Sequence, residues 1–258
     1  MIGFYNYTVI ATYLSLMCSM FGMVLCIKQS ILSGGVNGDY RIAVLMLALS
    51  GLFDMFDGKI ARTKTDRTED EKKFGVQLDS LCDVICFGIY PVLLSWCIGM
   101  RGRISAVIFV IYALGAVIRL AFFNVMEDKR QLQTTENRKE YQGLPVTSIA
   151  VILPILFFLG LLLKMRGFEG GPSLVLQIGL LVTGVLFVVD FKVKKPTNLT
   201  IAILVLAVAI VMIFVFRGGS KKKEERYVQN KAEISVCEMQ EVCDEGENIT
   251  GYGNEAFV

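Results

Sequence analysis

Four aspartates, Asp54, Asp57, Asp79 and Asp83, stand inside stretches of the chain that are otherwise almost wholly apolar. Their spacing is helical. Asp54, Asp57, Gly58, Ala61 and Arg62 fall at i, i+3, i+4, i+7 and i+8, and Gly75, Asp79 and Asp83 at i, i+4 and i+8. Each set forms one stripe on its helix. The polar stretch 63–73 between them is short enough to make the two helices antiparallel neighbours. The four carboxylates then converge near one end of a helical hairpin. At close range they repel one another unless cations sit among them. The sequence has no histidine, which removes imidazole bases, imidazole–zinc sites and Ser-His-Asp triads together. Its seven cysteines include no CxxC pair, and five of them lie in apolar runs, so neither a thiolate zinc site nor a disulfide is expected. Hard oxygen ligands alone suit Mg²⁺ or Mn²⁺. Two such ions can bridge a diphosphate and stabilise an in-line displacement. Gly58 and Gly75 leave room for a ligand beside the backbone, and Arg62 offers a fork of donors to phosphate.

The elements that must position these residues are membrane helices. The chain is 258 residues long and 54% hydrophobic, with a mean hydropathy of +0.57. Soluble domains average nearer 45–50% apolar, roughly, so the excess calls for an apolar solvent. Seven apolar runs are marked, over 7–27, 42–62, 75–99, 104–125, 145–164, 172–190 and 197–216. The first is read as a retained helix rather than a cleaved leader. No internal repeat is evident. After residue 216 the composition turns polar, and 217–258 is expected to be a disordered tail appended to a catalytic domain over 1–216. Net charge is +2, too balanced to argue for nucleic acid. With seven spans, stretches 62–73, 126–142 and 191–196 share one side and hold twelve Lys and Arg, against six in 28–41, 100–103 and 164–170. The excess places 63–73 and 126–142 in the cytoplasm. The basic run Lys221–Lys223 falls on the opposite side in this count and conflicts with it.

The pattern DxxDGxxAR…GxxxDxxxD, in Asp54, Asp57, Gly58, Ala61, Arg62, Gly75, Asp79 and Asp83, resembles the signature of the CDP-alcohol phosphatidyltransferase family at every fixed position. One departure is a spacer from Arg62 to Gly75 about one helical turn longer than in most members, with the extra residues expected in the cytoplasmic loop. The resemblance implies an all-α integral membrane fold, with a six-helix core and here about one further C-terminal transmembrane helix. It implies a homodimer with its site in a cytoplasm-facing cavity, multi-pass in a prokaryotic cell (inner) membrane. By the same resemblance Asp54, Asp57 and Asp79 hold the metals, and Asp83 touches the metal site and acts as general base. Gly58, Ala61, Arg62 and Gly75, with Asp54, bind the cytidine diphosphate group.

Within the family, FGVQLDSLCDVICFGIYP (74–91), RLAFFNV (119–125) and YQGLPVT (141–147) resemble phosphatidylserine synthases. That likeness implies phospholipid biosynthesis from CDP-diacylglycerol and L-serine, giving phosphatidylserine and CMP. A serine acceptor needs a partner for its carboxylate. Arg119 is suited to this, and reads equally as an interfacial charge. Asn124, Arg138 and Gln142 are further candidates for the acceptor site. An acceptor carrying a phosphate, glycerol 3-phosphate or inositol phosphate, would instead use Lys129, Arg130, Arg138 and Lys139. A carboxylate-lined transporter would place its acids near the bilayer midplane, on broken helices or repeats. Here they crowd one end of a hairpin.

Overall fold

The computed structural model describes residues 7–32, 38–61, 68–133, 140–194 and 204–214. Seven helices make up most of its first compact unit, Met1–Met212. They are α1 (Ile10–Leu32), α2 (Arg41–Ala61), α3 (Glu69–Asp83), α4 (Tyr90–Ile98), α5 (Arg103–Gln133), α6 (Ile149–Met165) and α7 (Gly171–Val188). A π turn, Val84–Ile89, joins α3 to α4, so the two make one element crossing the same layer. That gives the six-helix core. A further helix, α8 (Leu204–Phe214), follows it. Of the second unit, Ile213–Val258, the described residues are Ile213 and Phe214, both helical and exposed. The tail 217–258 lies outside the described residues.

The polarity of the bundle is inverted relative to a soluble protein. On α1 the buried face is Ala11, Thr12, Ser15, Ser19, Gly22 and Cys26, while Leu14, Met17, Phe21 and Val24 point outward. The exposed side of α5 is likewise apolar, with Val107, Val110, Leu114 and Ile118. Small and hydroxylic residues inside, large aliphatics outside, is the arrangement of helices dissolved in lipid. Five elements are long and apolar enough to cross a membrane: Ile10–Leu32, Glu69–Ile98, Arg103–Lys129, Val146–Met165 and Gly171–Val188. The chain is therefore a multi-pass integral membrane protein. Seven runs were expected. α2 falls short in apolarity because it carries Arg41, Asp54, Asp57 and Lys59, and α8 is described over only a short apolar stretch.

Two boundaries differ from the sequence reading. The stretch 63–73 was expected to be loop, yet α3 starts at Glu69. Thr68 Oγ1 accepts from Glu71 N at 3.2 Å and Glu71 Oε2 accepts from Thr68 N at 3.2 Å, a capping box that satisfies free amides at the helix start. Part of the longer spacer is thus taken up as helix. Likewise α5 runs on to Gln133, because MEDKRQLQ is a run of mostly strong helix formers.

The connections tie the ends of several helices together. A short antiparallel ladder pairs β1 (Glu140–Gln142) with β2 (Lys192–Lys194), and Gly143 N donates to Phe191 O at 2.6 Å beside it. The C-terminal ends of α5 and α7 must therefore lie on the same side. α2 and α6 approach closely where Gly51 faces Ala150; a Cβ on Gly51 would collide with the Ala150 methyl. This contact sits one turn before Asp54 and brings the start of α6 against the site-bearing helix.

Candidate metal and active site

α2 and α3 deliver the two acidic stripes to one place. Carboxylate oxygens of Asp54, Asp57 and Asp79 lie within 4.8 Å of one another, and all three side chains are half-buried. Asp83, one turn beyond Asp79, is only 8% exposed and makes a side-chain hydrogen-bond contact with Asp54. Asp57 and Asp79 are in similar contact. The carboxylates converge as the spacing predicts, although α2 packs chiefly on α1 and α6, and α3 on α1, rather than closely on one another.

The donor set fits a divalent cation. It consists of carboxylate oxygens, which suit hard ions. One of them, Asp79 Oδ1, is buried and has no hydrogen-bond partner. An acceptor buried without a donor is costly, and a cation among these oxygens would remove that cost. Three aspartates at this spacing can hold an ion.

Sequence reasoning missed the contribution of α1. Thr12 Oγ1 donates to Asp57 Oδ2 at 3.3 Å. Deeper along the same face, Ser15 and Ser19 each lie 2.8 Å from Ser50 Oγ on α2, one turn before Asp54. The signal was available as a stripe of small polar residues at 12, 15, 19, 22 and 26 in an apolar run.

Gly75 lies half-buried on α3 one turn before Asp79, and Gly58 and Ala61 belong to the C-terminal end of α2. Arg62 and Arg138 lie outside the described residues. Gln142 sits in β1, paired with Lys192. Asn124 Nδ2 donates to Ser80 Oγ at 2.7 Å, tying α5 to the residue after Asp79. Arg119 is 6% exposed, so it does not lie out in the interface. Its Nε donates to Leu144 O at 3.0 Å and a terminal nitrogen to Gly143 O at 3.4 Å. It holds the YQGLPVT turn, where Gly143 has a φ of 71°, ahead of α6. Those two carbonyl partners are backbone atoms the sequence could not point to.

An inverted-polarity helical bundle with an acidic cluster able to hold an ion defines a membrane protein with a candidate metal site. The family model for CDP-alcohol phosphatidyltransferase matches residues 5–189, and the chain belongs to that family of transferases. Its members use divalent metals. Among curated relatives, a CDP-diacylglycerol–serine O-phosphatidyltransferase of Helicobacter pylori is 30% identical over 183 residues, covering 68% of this chain and 71% of the relative. An archaetidylserine synthase of Methanothermobacter thermautotrophicus is 33% identical over 126 residues, 48% of this chain and 50% of its own length. A CDP-diacylglycerol–serine O-phosphatidyltransferase of Mycobacterium tuberculosis is 28% identical over 197 residues, 72% of this chain and 65% of that protein. No solved structure matches the chain.

Proposed function

We propose that this protein transfers the phosphatidyl group of CDP-diacylglycerol to L-serine, giving phosphatidylserine and CMP. The observation that carries the reading is the convergence of Asp54, Asp57 and Asp79 within 4.8 Å, with Asp83 buried against them, inside the family-matched hairpin. The names of relatives from Helicobacter and Mycobacterium support serine as acceptor.

Asp54, Asp57, Asp79 and Asp83 would hold Mg²⁺ or Mn²⁺, two ions in this reading. When bound, such ions offset the charge of the diphosphate and of the oxygens that gain charge during transfer. The chain's own residues do the rest. Gly58, Ala61, Arg62 and Gly75 are proposed to bind the cytidine diphosphate group. Asp83 takes the proton of the serine hydroxyl as its oxygen attacks the β-phosphorus, the one joined to diacylglycerol. The bond from that phosphorus to the bridging oxygen breaks, and CMP leaves with the electron pair. A carboxylate serves as base here because nearby positive charge also lowers the proton affinity of the hydroxyl. Arg119, Asn124, Arg138 and Gln142 are proposed to orient the acceptor. The proposal extends to a homodimer in a prokaryotic cell membrane, with residues 1–216 as the catalytic domain, 217–258 as a tail, and the site open to the cytoplasm.

The test is CMP release by the purified protein from CDP-diacylglycerol, or its dialkyl ether analogue, with Mn²⁺ or Mg²⁺ and each acceptor in turn. Release with serine, lost on adding EDTA, is expected. Release with glycerol 3-phosphate or inositol phosphate but not serine would overturn the acceptor, and none with any acceptor would overturn the reaction.

A further inference from the structure

The element that carries Asp79 and Asp83 is irregular directly after Asp83. Over Val84–Ile89 it widens into a π turn, in which Tyr90 N donates to Ile85 O five residues back. Pro91 follows, buried in the first turn of α4. In a regular α-helix the amide of residue 91 would donate to Phe87 O. Proline has no N–H, and its ring crowds that same carbonyl. Phe87 is wholly buried, where an unpaired carbonyl is expensive. A side-chain donor to this carbonyl comes from another helix. Tyr112 Oη, on α5, donates to Phe87 O at 2.7 Å, and Tyr112 is itself fully buried. α7 seats it from behind. A Cβ on Gly184 would stand 2.9 Å from Tyr112 Cα, and the Phe187 ring lies 5.5 Å from the tyrosine ring.

We infer that Tyr112 is a positioning residue for Asp83: its hydroxyl holds the carbonyl released by Pro91 and so maintains the π turn that sets the rotation of Asp79 and Asp83. The geometry gives the reason. A π turn holds one residue more than an α turn, so its collapse would rotate the preceding segment against the following one by about 100°. The following segment is anchored, because Tyr90 Oη donates to Ala43 O on α2 at 2.6 Å. The displacement therefore falls on the two aspartates. The inference rests on the proposed role of Asp83 as base.

The test uses the full chain in lipid nanodiscs and reads kcat, Mn²⁺ affinity by electron paramagnetic resonance, and thermal midpoint. Tyr112→Phe keeps the ring and removes the donor. It is expected to lower kcat about tenfold or more, since small misplacements of reacting groups are costly, and to weaken Mn²⁺ binding. The double variant Pro91→Ala/Tyr112→Phe restores an amide that can satisfy Phe87 O in a regular helix. It is expected to recover the thermal midpoint and not kcat or Mn²⁺ affinity. A donor that only satisfies a carbonyl predicts recovery of all three, and that result overturns the inference, as does a Tyr112→Phe kcat within about twofold of the parent. Should Tyr112→Phe fail to fold, Gly184→Ala, whose methyl presses on Tyr112 Cα, is read against the same limits. All variants are compared with whichever acceptor the parent uses, so a wrong acceptor leaves the test intact. A parent that turns over no acceptor refutes the proposed function, and Mn²⁺ affinity then decides Tyr112 alone.

Discussion

Asp79 shows most plainly what a single residue brings to this site. Its Oδ1 is buried without a donor, and Asp54 and Asp57 stand within 4.8 Å of its carboxylate. Such a cluster destabilises the fold until a cation joins it. Saturating Mn²⁺, at about a hundred times its dissociation constant, should stabilise the protein by about 2.7 kcal/mol, visible as a rise in thermal midpoint. Asp79→Asn should shrink that rise severalfold while raising the midpoint in EDTA; an unchanged Mn²⁺ response would remove Asp79 from the metal site. Asp83→Asn should lower transfer by about 10²–10⁴-fold while leaving CDP-lipid binding, measured by equilibrium titration. Turnover near the parent rate would end its assignment as base. Arg119→Ala has two expected effects. Loss of its bonds to Gly143 and Leu144 should cost about 1–3 kcal/mol of stability, and the serine KM should rise far more than that for CDP-diacylglycerol. Equal rises in both KM values would confine Arg119 to holding the turn. The four aspartates were legible in the sequence because charge inside an apolar run, at helical spacing, has few structural uses. Thr12 was legible only as part of a buried small-residue stripe, because a hydroxyl in a membrane helix carries no mark of the side chain it will meet.

At the scale of elements, the helices that bear the site were legible as apolar runs, but their ends were not. Charged stretches such as TEDEKK read as loop when hydropathy alone is followed. The signal that competes is local: Thr68 and Glu71 stand at capping-box spacing, and Lys72 lies 2.8 Å from Glu69 across one turn. The consequence is an α3 that extends beyond its apolar part, with residues 69–73 on ordered helix instead of loop. Thr68→Ala should destabilise this first turn by about 1 kcal/mol, seen as faster amide exchange over residues 69–73. Because Thr68 touches no part of the acidic cluster, kcat should stay within about twofold of the parent; a larger loss would mean that this turn closes over substrate. The π turn was out of reach of any periodicity. It depends on Pro91 in the next turn and on a tyrosine hydroxyl from a helix more than twenty residues later, and the second shows in no local pattern.

For the whole molecule, polarity and topology constrain each other. The fold was legible because lipid leaves few options: every backbone group in a span must be satisfied internally, so apolar runs of this length become helices. Which faces turn inward follows from the same solvent, with Ser15, Ser19 and Ser50 hidden together and the large aliphatics left outside. The sidedness rests on two independent supports. Basic residues accumulate in 62–73, 126–142 and 191–196, and two of these stretches contribute the strands β1 and β2, which pair. Pairing requires both to lie on one side of the bilayer, and Asn124 Nδ2, near the end of α5 that leads to β1, bonds Ser80 beside Asp79. In the proposed topology, the positive-inside rule makes that side the cytoplasm. Two exposed residues at opposite ends test this. Glu69 opens α3, and Glu169 lies in the turn between α6 and α7, beside Lys164. In a background with Cys237 and Cys243 changed to serine, Glu69→Cys should react with an impermeant maleimide only in inside-out vesicles, and Glu169→Cys only in right-side-out ones. The reverse pattern would turn the site away from the cytoplasm. It would then have to draw its CDP-linked lipid and acceptor from the outer side, which the distribution of basic residues argues against.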